Sequence, residues 1–399
     1  MGRVTTGIYW IARKAAPWVL AALVSLVWLV PIAEADQGDQ GLQGGWAVDN
    51  HGGVSFTHGL ATQFDLMQSA GAGWVRINFR LGDCFQDWTS IGCNGKTALQ
   101  TYDVVVDDAL SHHLQVLGLL SNESWNGDQS DWTANNAENT PGNGDNPYIR
   151  SFATNTASVL AAHFNGKRGP LVSHWEIWNE PNAWLANPVS GVFTGGSYIY
   201  PSNFAWLLSR SYRAIKVANP TAVVVSGGLY AHILSLPIDA PTLPVSERTA
   251  CAASLPSGAN YLCRTYAEGI TYAGWRSGSY PLDSVGQHLY VDQFGLTSAE
   301  RIVTYLQDLH VAYLAYEGAR SNKKIDLTEV GWSTAFLTTQ VQAQNLRAAF
   351  AIFQKTSYVE RAYWFNVQDL PEAGLFFGLV DSGGNPKPVF AAYQQAAAY

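Results

Sequence analysis

Eight times after Gly45, a short strand-like run is followed by a longer helix-like run, and few folds accommodate that order. Strand patterns fall over residues 46–50, 74–79, 115–120, 174–179, 222–226, 284–289, 324–328 and 361–365. Helical patterns follow over 60–69, 101–112, 148–163, 202–217, 261–273, 298–317, 339–356 and 388–398. Pro201-Ser202 opens the fourth helix, and Thr297 with Glu300 reads as a capping box before the sixth. Eight repeats favour an α/β fold with a closed parallel (β/α)₈ barrel over an open doubly wound sheet. Loop lengths point the same way. Helix-to-strand connections such as 71–73 and 218–221 are tight, whereas the strand-to-helix connections 121–147, 180–201 and 227–260 are long. In a barrel the long set gathers on one face, where active sites sit. No linker or charge run divides the chain, so residues 36–399 read as one domain.

Residues 1–35 are set apart from that domain. Arg3, Arg13 and Lys14 precede an apolar, uncharged run from Ala15 to Pro31, and Ala33-Glu34-Ala35 supplies a small-x-small cleavage pattern. This reads as an export signal, with a retained membrane anchor as the rival, since the apolar run approaches the lower limit for spanning. Export fits the cysteines. Cys84 and Cys93 form one sequence-local pair and Cys251 and Cys263 another, read as two disulfide loops; neither has the tight spacing of a structural zinc site. Asn122-Glu123-Ser124 is a glycosylation sequon.

Charged residues are scarce at 14%, aromatics reach 13%, and the net charge is -8. That charge argues against a nucleic-acid backbone or an anionic membrane surface as partner of the mature chain. Abundant aromatic faces and few charges suit a neutral polyhydroxylated ligand, although any single Trp also serves as core.

Trp175-Glu176-Ile177-Trp178-Asn179-Glu180-Pro181-Asn182 closes the fourth strand. A carboxyl there projects into the barrel mouth, where aromatic neighbours and an Asn favour its protonated form, as a general acid requires. Glu180 is that acid. Glu176, lower on the strand, reads as a paired interior residue. Glu329, in Ile325-Asp326-Leu327-Thr328-Glu329-Val330-Gly331-Trp332-Ser333, ends the seventh strand on the same face. Glycoside hydrolysis uses two carboxyls, about 5–5.5 Å apart when the second attacks the anomeric carbon directly. Glu180 and Glu329 are the candidate pair.

Trp-Asn-Glu-Pro on strand four and a Glu ending strand seven resemble the clan A glycoside hydrolases, which include the family 5 cellulases and mannanases and the family 39 xylosidases. The resemblance runs through most of the mature chain. It implies Glu180 as acid/base, Glu329 as nucleophile, net retention at the anomeric carbon, and no metal or organic cofactor. It also implies that Asn179 binds the sugar 2-hydroxyl, that Arg76 hydrogen-bonds the nucleophile, that His288-Leu289-Tyr290 is the His-x-Tyr of strand six, and that Trp364 floors the central sugar subsite.

Chemistry supports several of these roles independently. Arg76 and the Tyr290 hydroxyl beside a carboxylate favour its ionised form, which would keep Glu329 charged while Glu180 holds a proton. Packing readings remain: Arg76 paired with Glu176, His288 as a satisfied core histidine, Trp364 as barrel packing. The loops around Trp125 and Trp132 and around Cys251 match no pattern. Gly378-Leu379-Val380-Asp381 through Pro386-Lys387-Pro388 resembles family 39 endings, whereas His-x-Tyr leans to family 5. The expected activity is hydrolysis of β-glycosidic bonds in a poly- or oligosaccharide by a secreted monomer; transglycosylation through the same carboxyls and a non-catalytic sugar-binding barrel are the alternatives. There is no His-Glu-x-x-His, phosphate-loop Gly-Lys-Ser/Thr or Gly-x-Ser-x-Gly to support metal, nucleotide or serine chemistry.

Overall fold

In the computed structural model, residues 40–42, 46–48, 54–56, 60–81, 84–125, 146–166, 171–186, 193–195, 199–230 and 257–398 are described. Residues 1–35, read above as an export signal, Trp132 and Cys251 lie outside them, and with Cys251 the second expected disulfide. Cys84 and Cys93 are bonded to each other. No helix among the described residues is long and apolar enough to cross a membrane.

Eight parallel strands close a barrel: β1 (Gln40–Leu42), β2 (Trp74–Asn78), β3 (Gln115–Leu120), β4 (His174–Asn179), β5 (Val223–Gly228), β6 (Ser284–Leu289), β7 (Lys324–Val330) and β8 (Val359–Trp364). Strand β1 pairs in parallel with both β8 and β2, which completes the ring. Helices follow the strands: α1 (Leu60–Ser69), α2 (Ala98–Ser111), α3 (Pro147–Phe152, continued by a π turn through Ala153–Ala157 into Ser158–His163), α4 (Pro201–Ala218), α5 (Ser257–Tyr272), α6 (Ala299–Glu317), α7 (Thr339–Phe353) and α8 (Pro388–Ala397).

The sequence pattern misplaces the first strand. Trp46–Val48 is not in the barrel but pairs antiparallel with Val54–Phe56, and the barrel strand is the glycine-flanked Gln40–Leu42. Gly41 sits level with Tyr363 on one side and Trp74 on the other, and these two rings, with Leu117 and Val225, fill the barrel floor. The cap of α6 also differs: Ser298, not Thr297, accepts from the Arg301 amide, and Thr297 donates its own amide to Asn345. The full reciprocal capping box lies instead at Thr97 and Gln100, ahead of α2.

The interior is layered, and the layering positions the site. Arg361 lies 4.2 Å over the Trp74 ring at the floor and reaches Asp326, which also accepts from Ser284. Above the floor, Glu176 accepts from Arg76 Nε at 2.6 Å and from Thr328 Oγ1 and the Gly228 amide at 2.8 Å each. Glu176 is therefore a satisfied interior acid. Its pairing holds Arg76 upright, with the far side of the guanidinium turned to the mouth.

Candidate active site

The turn after β4 aims the first carboxyl. Trp178 and Glu180 adopt φ of +74° and +48°, a region non-glycine residues seldom visit and which tends to mark functional sites. The kink sends the Trp178 ring outward against Phe152, 5.8 Å between centroids, while Asn179 and Glu180 turn inward. Asn182 locks the turn, its side chain bonding both the amide and the carbonyl of Tyr230. Burial and the charge of Glu180 push the Tyr230 phenol up, so it stays neutral beside that carboxyl.

Glu180, His288 and Glu329 converge at the mouth, all buried, with one ligating atom from each lying within 4.8 Å of the others. His288 Nδ1 is 2.7 Å from Glu180 Oε1 and 3.4 Å from Glu329 Oε2. Glu329 Oε1 accepts from Arg76 Nη1 at 2.7 Å and Oε2 from the Tyr290 hydroxyl at 2.6 Å. Arg76 Nη2 donates to Asn179 Oδ1 at 3.1 Å, fixing the amide beside the acid. His288 itself fits only because Gly228 faces it, where a Cβ would come within 2.1 Å of Nε2.

The electrostatics favour the ionised form of Glu329. Burial draws Glu329 upward, but the neighbouring His288 and Arg76 and the hydrogen bonds from Tyr290 and Arg76 outweigh it and hold the carboxyl below its ordinary value. Burial also drives His288 down to about 3, against the pull of Glu329, so the imidazole is neutral at ordinary pH. Arg76 and Tyr290 then supply the lasting stabilisation of the Glu329 anion. Glu180 Oε1 meets the neutral His288 ring at Nδ1. A metal bound by the three side chains would face the Arg76 guanidinium across Glu329, so the donor set suits proton chemistry better than a cation. Tyr290→Phe is expected to slow the chemical step by about 10²–10³-fold with an unchanged melting profile, the scale of one lost electrostatic contact at a reacting centre. A wild-type rate would remove the phenol from the site.

The structure thus brings together Arg76, Asn179, Glu180, His288, Tyr290 and Glu329, but not Trp364. Along β8 the inward residues are Arg361, Tyr363 and Phe365, so Trp364 points the other way. It is fully buried in the layer between barrel and helices, 6.0 Å from Trp332, its indole N–H donating to the Phe377 carbonyl. The subsite-floor reading of Trp364 is corrected accordingly. Phe365 and Phe377 border Tyr290 instead, at 6.3 and 5.9 Å between centroids. Trp364→Ala should then cost about 3–5 kcal/mol of stability, the range for emptying a large aromatic core site, read by equilibrium unfolding. Lost activity with unchanged melting would return the indole to the substrate. Sequence reasoning also missed Asn182, Gly228 and Tyr230. The doublet Gly227-Gly228 at a strand end was their one local signal.

Residues 256–393 match the family model described as glycosyl hydrolase catalytic core. No curated protein matches the sequence. Among solved structures, the chain is similar to a family 39 glycoside hydrolase from the gut symbiont Bacteroides cellulosilyticus WH2, with 18% identity, TM-score 0.54, and coverage of 86% of this chain and 61% of that one. It therefore spans about three fifths of that enzyme. It is also similar to GH5_18 from Streptomyces cattleya in complex with GlcNAc, with 15% identity, TM-score 0.56, and coverage of 86% and 74%. A third is the exo-beta-1,4-mannosidase Op5Man5 from Opitutaceae bacterium strain TAV5, with 18% identity, TM-score 0.53, and coverage of 85% and 55%. At such identities these likenesses establish the fold. The fold is that of a (β/α)₈ barrel, and its C-terminal part, residues 256–393, matches the glycosyl hydrolase catalytic core model. In fold it resembles the family 39 and GH5_18 structures just described.

Proposed function

We propose that the protein is a retaining β-glycosidase acting on a poly- or oligosaccharide, with Glu329 as nucleophile and Glu180 as acid/base. The observation that carries this reading is the closeness of the two carboxyls, an oxygen of each within 4.8 Å. Direct attack calls for a separation of about 5–5.5 Å, whereas an intervening water calls for roughly 6.5–9.5 Å. Glu180 would protonate the departing oxygen as Glu329 forms the glycosyl-enzyme, and would then deprotonate the water that releases it. His288 would orient Glu180 in both steps, and Asn179, held by Arg76, would meet the sugar 2-hydroxyl. The N-terminal segment, read as an export signal, would deliver the enzyme to glycans outside the cell.

The test is to incubate the protein with β-glucan, mannan, xylan, galactan and bacterial exopolysaccharide, size the products, and follow the anomeric proton by NMR at early times. Release of the β-anomer first is expected. Early α-anomer would replace the scheme with an inverting one, and no cleavage of any glycan would remove it.

A further inference from the structure

A second polar cluster stands at the open ends of β2 and β3 and takes no part in the steps above. Alternation places Arg76 and Asn78 on the inward face of β2, with Arg80 two residues beyond its end. Glu123 joins them from the turn Asn122–Ser124 that follows β3. Asn78 Nδ2 donates to Glu123 Oε2 at 2.8 Å, and Arg80 Nη2 lies 3.1 Å from Oε1. Ser121 Oγ donates to Asn78 Oδ1 at 2.8 Å and accepts the Glu123 amide, while the Glu123 carbonyl accepts the Leu81 amide. The carboxylate is thus fixed in place, one step along β2 from the arginine that grips Glu329.

The cluster's hydrogen bonding is unbalanced. Arg80 is only 7% exposed, yet its Nε and Nη1 have no acceptor among the described residues. Burying guanidinium donors without partners is costly, and native structures seldom tolerate it away from ligand sites. Glu123 shows the complementary surplus. Its side chain is 26% exposed, and each oxygen has one protein donor in this cluster where it can accept two. Unused donors beside unused acceptors match neighbouring sugar hydroxyls, each of which both donates and accepts. A uronate would bring its charge against Glu123, so the complementary ring is neutral.

We propose that Arg80, Glu123 and Asn78 bind ring hydroxyls of the neutral sugar on the glycone side of the cleaved bond, and that they determine which epimer is accepted. The proposal rests on the glycosidase reading above, and the experiment separates the two. Oligosaccharides of β-linked glucose, mannose, galactose and xylose differ in one hydroxyl or hydroxymethyl group at a time. For wild type, Glu123→Gln and Arg80→Lys, kcat/KM is measured on all four, with thermal melting recorded alongside. Glu123→Gln keeps the side chain's shape, and Arg80→Lys keeps its charge, so both should fold. On the sugar that wild type prefers, each variant should lose about tenfold or more, chiefly in KM, while the poorer sugars lose less and the spread between epimers narrows. An equal loss on all four sugars with lowered melting would make the cluster a structural pin and overturn the proposal, as would unchanged discrimination. A wild type inactive on every glycan would remove the glycosidase reading, and the proposal with it.

Discussion

Glu329→Ala should lose hydrolysis of every β-linked glycan by on the order of 10⁴–10⁶-fold, the scale seen when a covalent nucleophile is removed. The geometry makes the defect repairable. Truncation leaves the Arg76 Nη1 and Tyr290 hydroxyl donors, 2.7 and 2.6 Å from the former oxygens, aimed into a vacated space. A small anion can occupy it. Azide placed there would attack the anomeric carbon from the face Glu329 used, while Glu180 still protonates the leaving oxygen, so a β-linked substrate yields the α-glycosyl azide. Its rate should rise with azide concentration and its configuration is read by NMR. Residual hydrolysis insensitive to azide, with wild-type stereochemistry, would take the nucleophile's role from Glu329.

Arg76 needs to be held in orientation to serve this role, and Glu176 grips it from below. The lower acid takes Nε and leaves the Nη edge for Glu329 and Asn179. Both readings of Arg76 open from the sequence, a pair with the interior acid and a contact to the nucleophile, therefore hold at once. The buried guanidinium joins three strands, β2, β4 and β7, and fixes their relative height at the point where the reaction would occur.

Where the sequence was legible and where it was not follows from periodicity. Strong apolar runs located seven of the eight barrel strands within a few residues, because both faces of such strands are buried. Gln40–Leu42 carried no such run, being three residues long with a glycine at its centre. The phase of β8 was illegible for the opposite reason. Tyr363, Trp364 and Phe365 are aromatic on both faces, so alternation gives no sign of which ring looks inward. The acid-bearing motif was visible because Trp178, Asn179 and Glu180 act as three consecutive residues. Arg80 and Glu123 were not, being 43 positions apart and joined only by the register of β2 on β3.

Glu180→Ala should behave differently from the nucleophile variant, because it removes a proton and leaves the attacking group intact. Among the described residues, Glu329 keeps Arg76 and Tyr290 and stays ionised, so the glycosyl-enzyme still forms wherever the leaving group departs without protonation. Dinitrophenyl β-glycosides meet that condition and natural linkages do not. First-step rates on the activated substrate should stay within about tenfold of wild type, whereas natural glycans should slow by about 10²–10⁴-fold, the contribution of a positioned general acid. The second step then stalls, since water reaches the intermediate without a base and His288, neutral and buried, is a poor substitute. A burst of dinitrophenol followed by slow turnover should result. Azide needs no deprotonation, so it should speed the slow phase and emerge as the β-glycosyl azide, inverted twice. Opposite azide configurations from the two alanine variants would assign the carboxyls to their separate steps; the same anomer from both, or a Glu180→Ala enzyme as slow on dinitrophenyl glycosides as on natural ones, would reverse or remove the assignment.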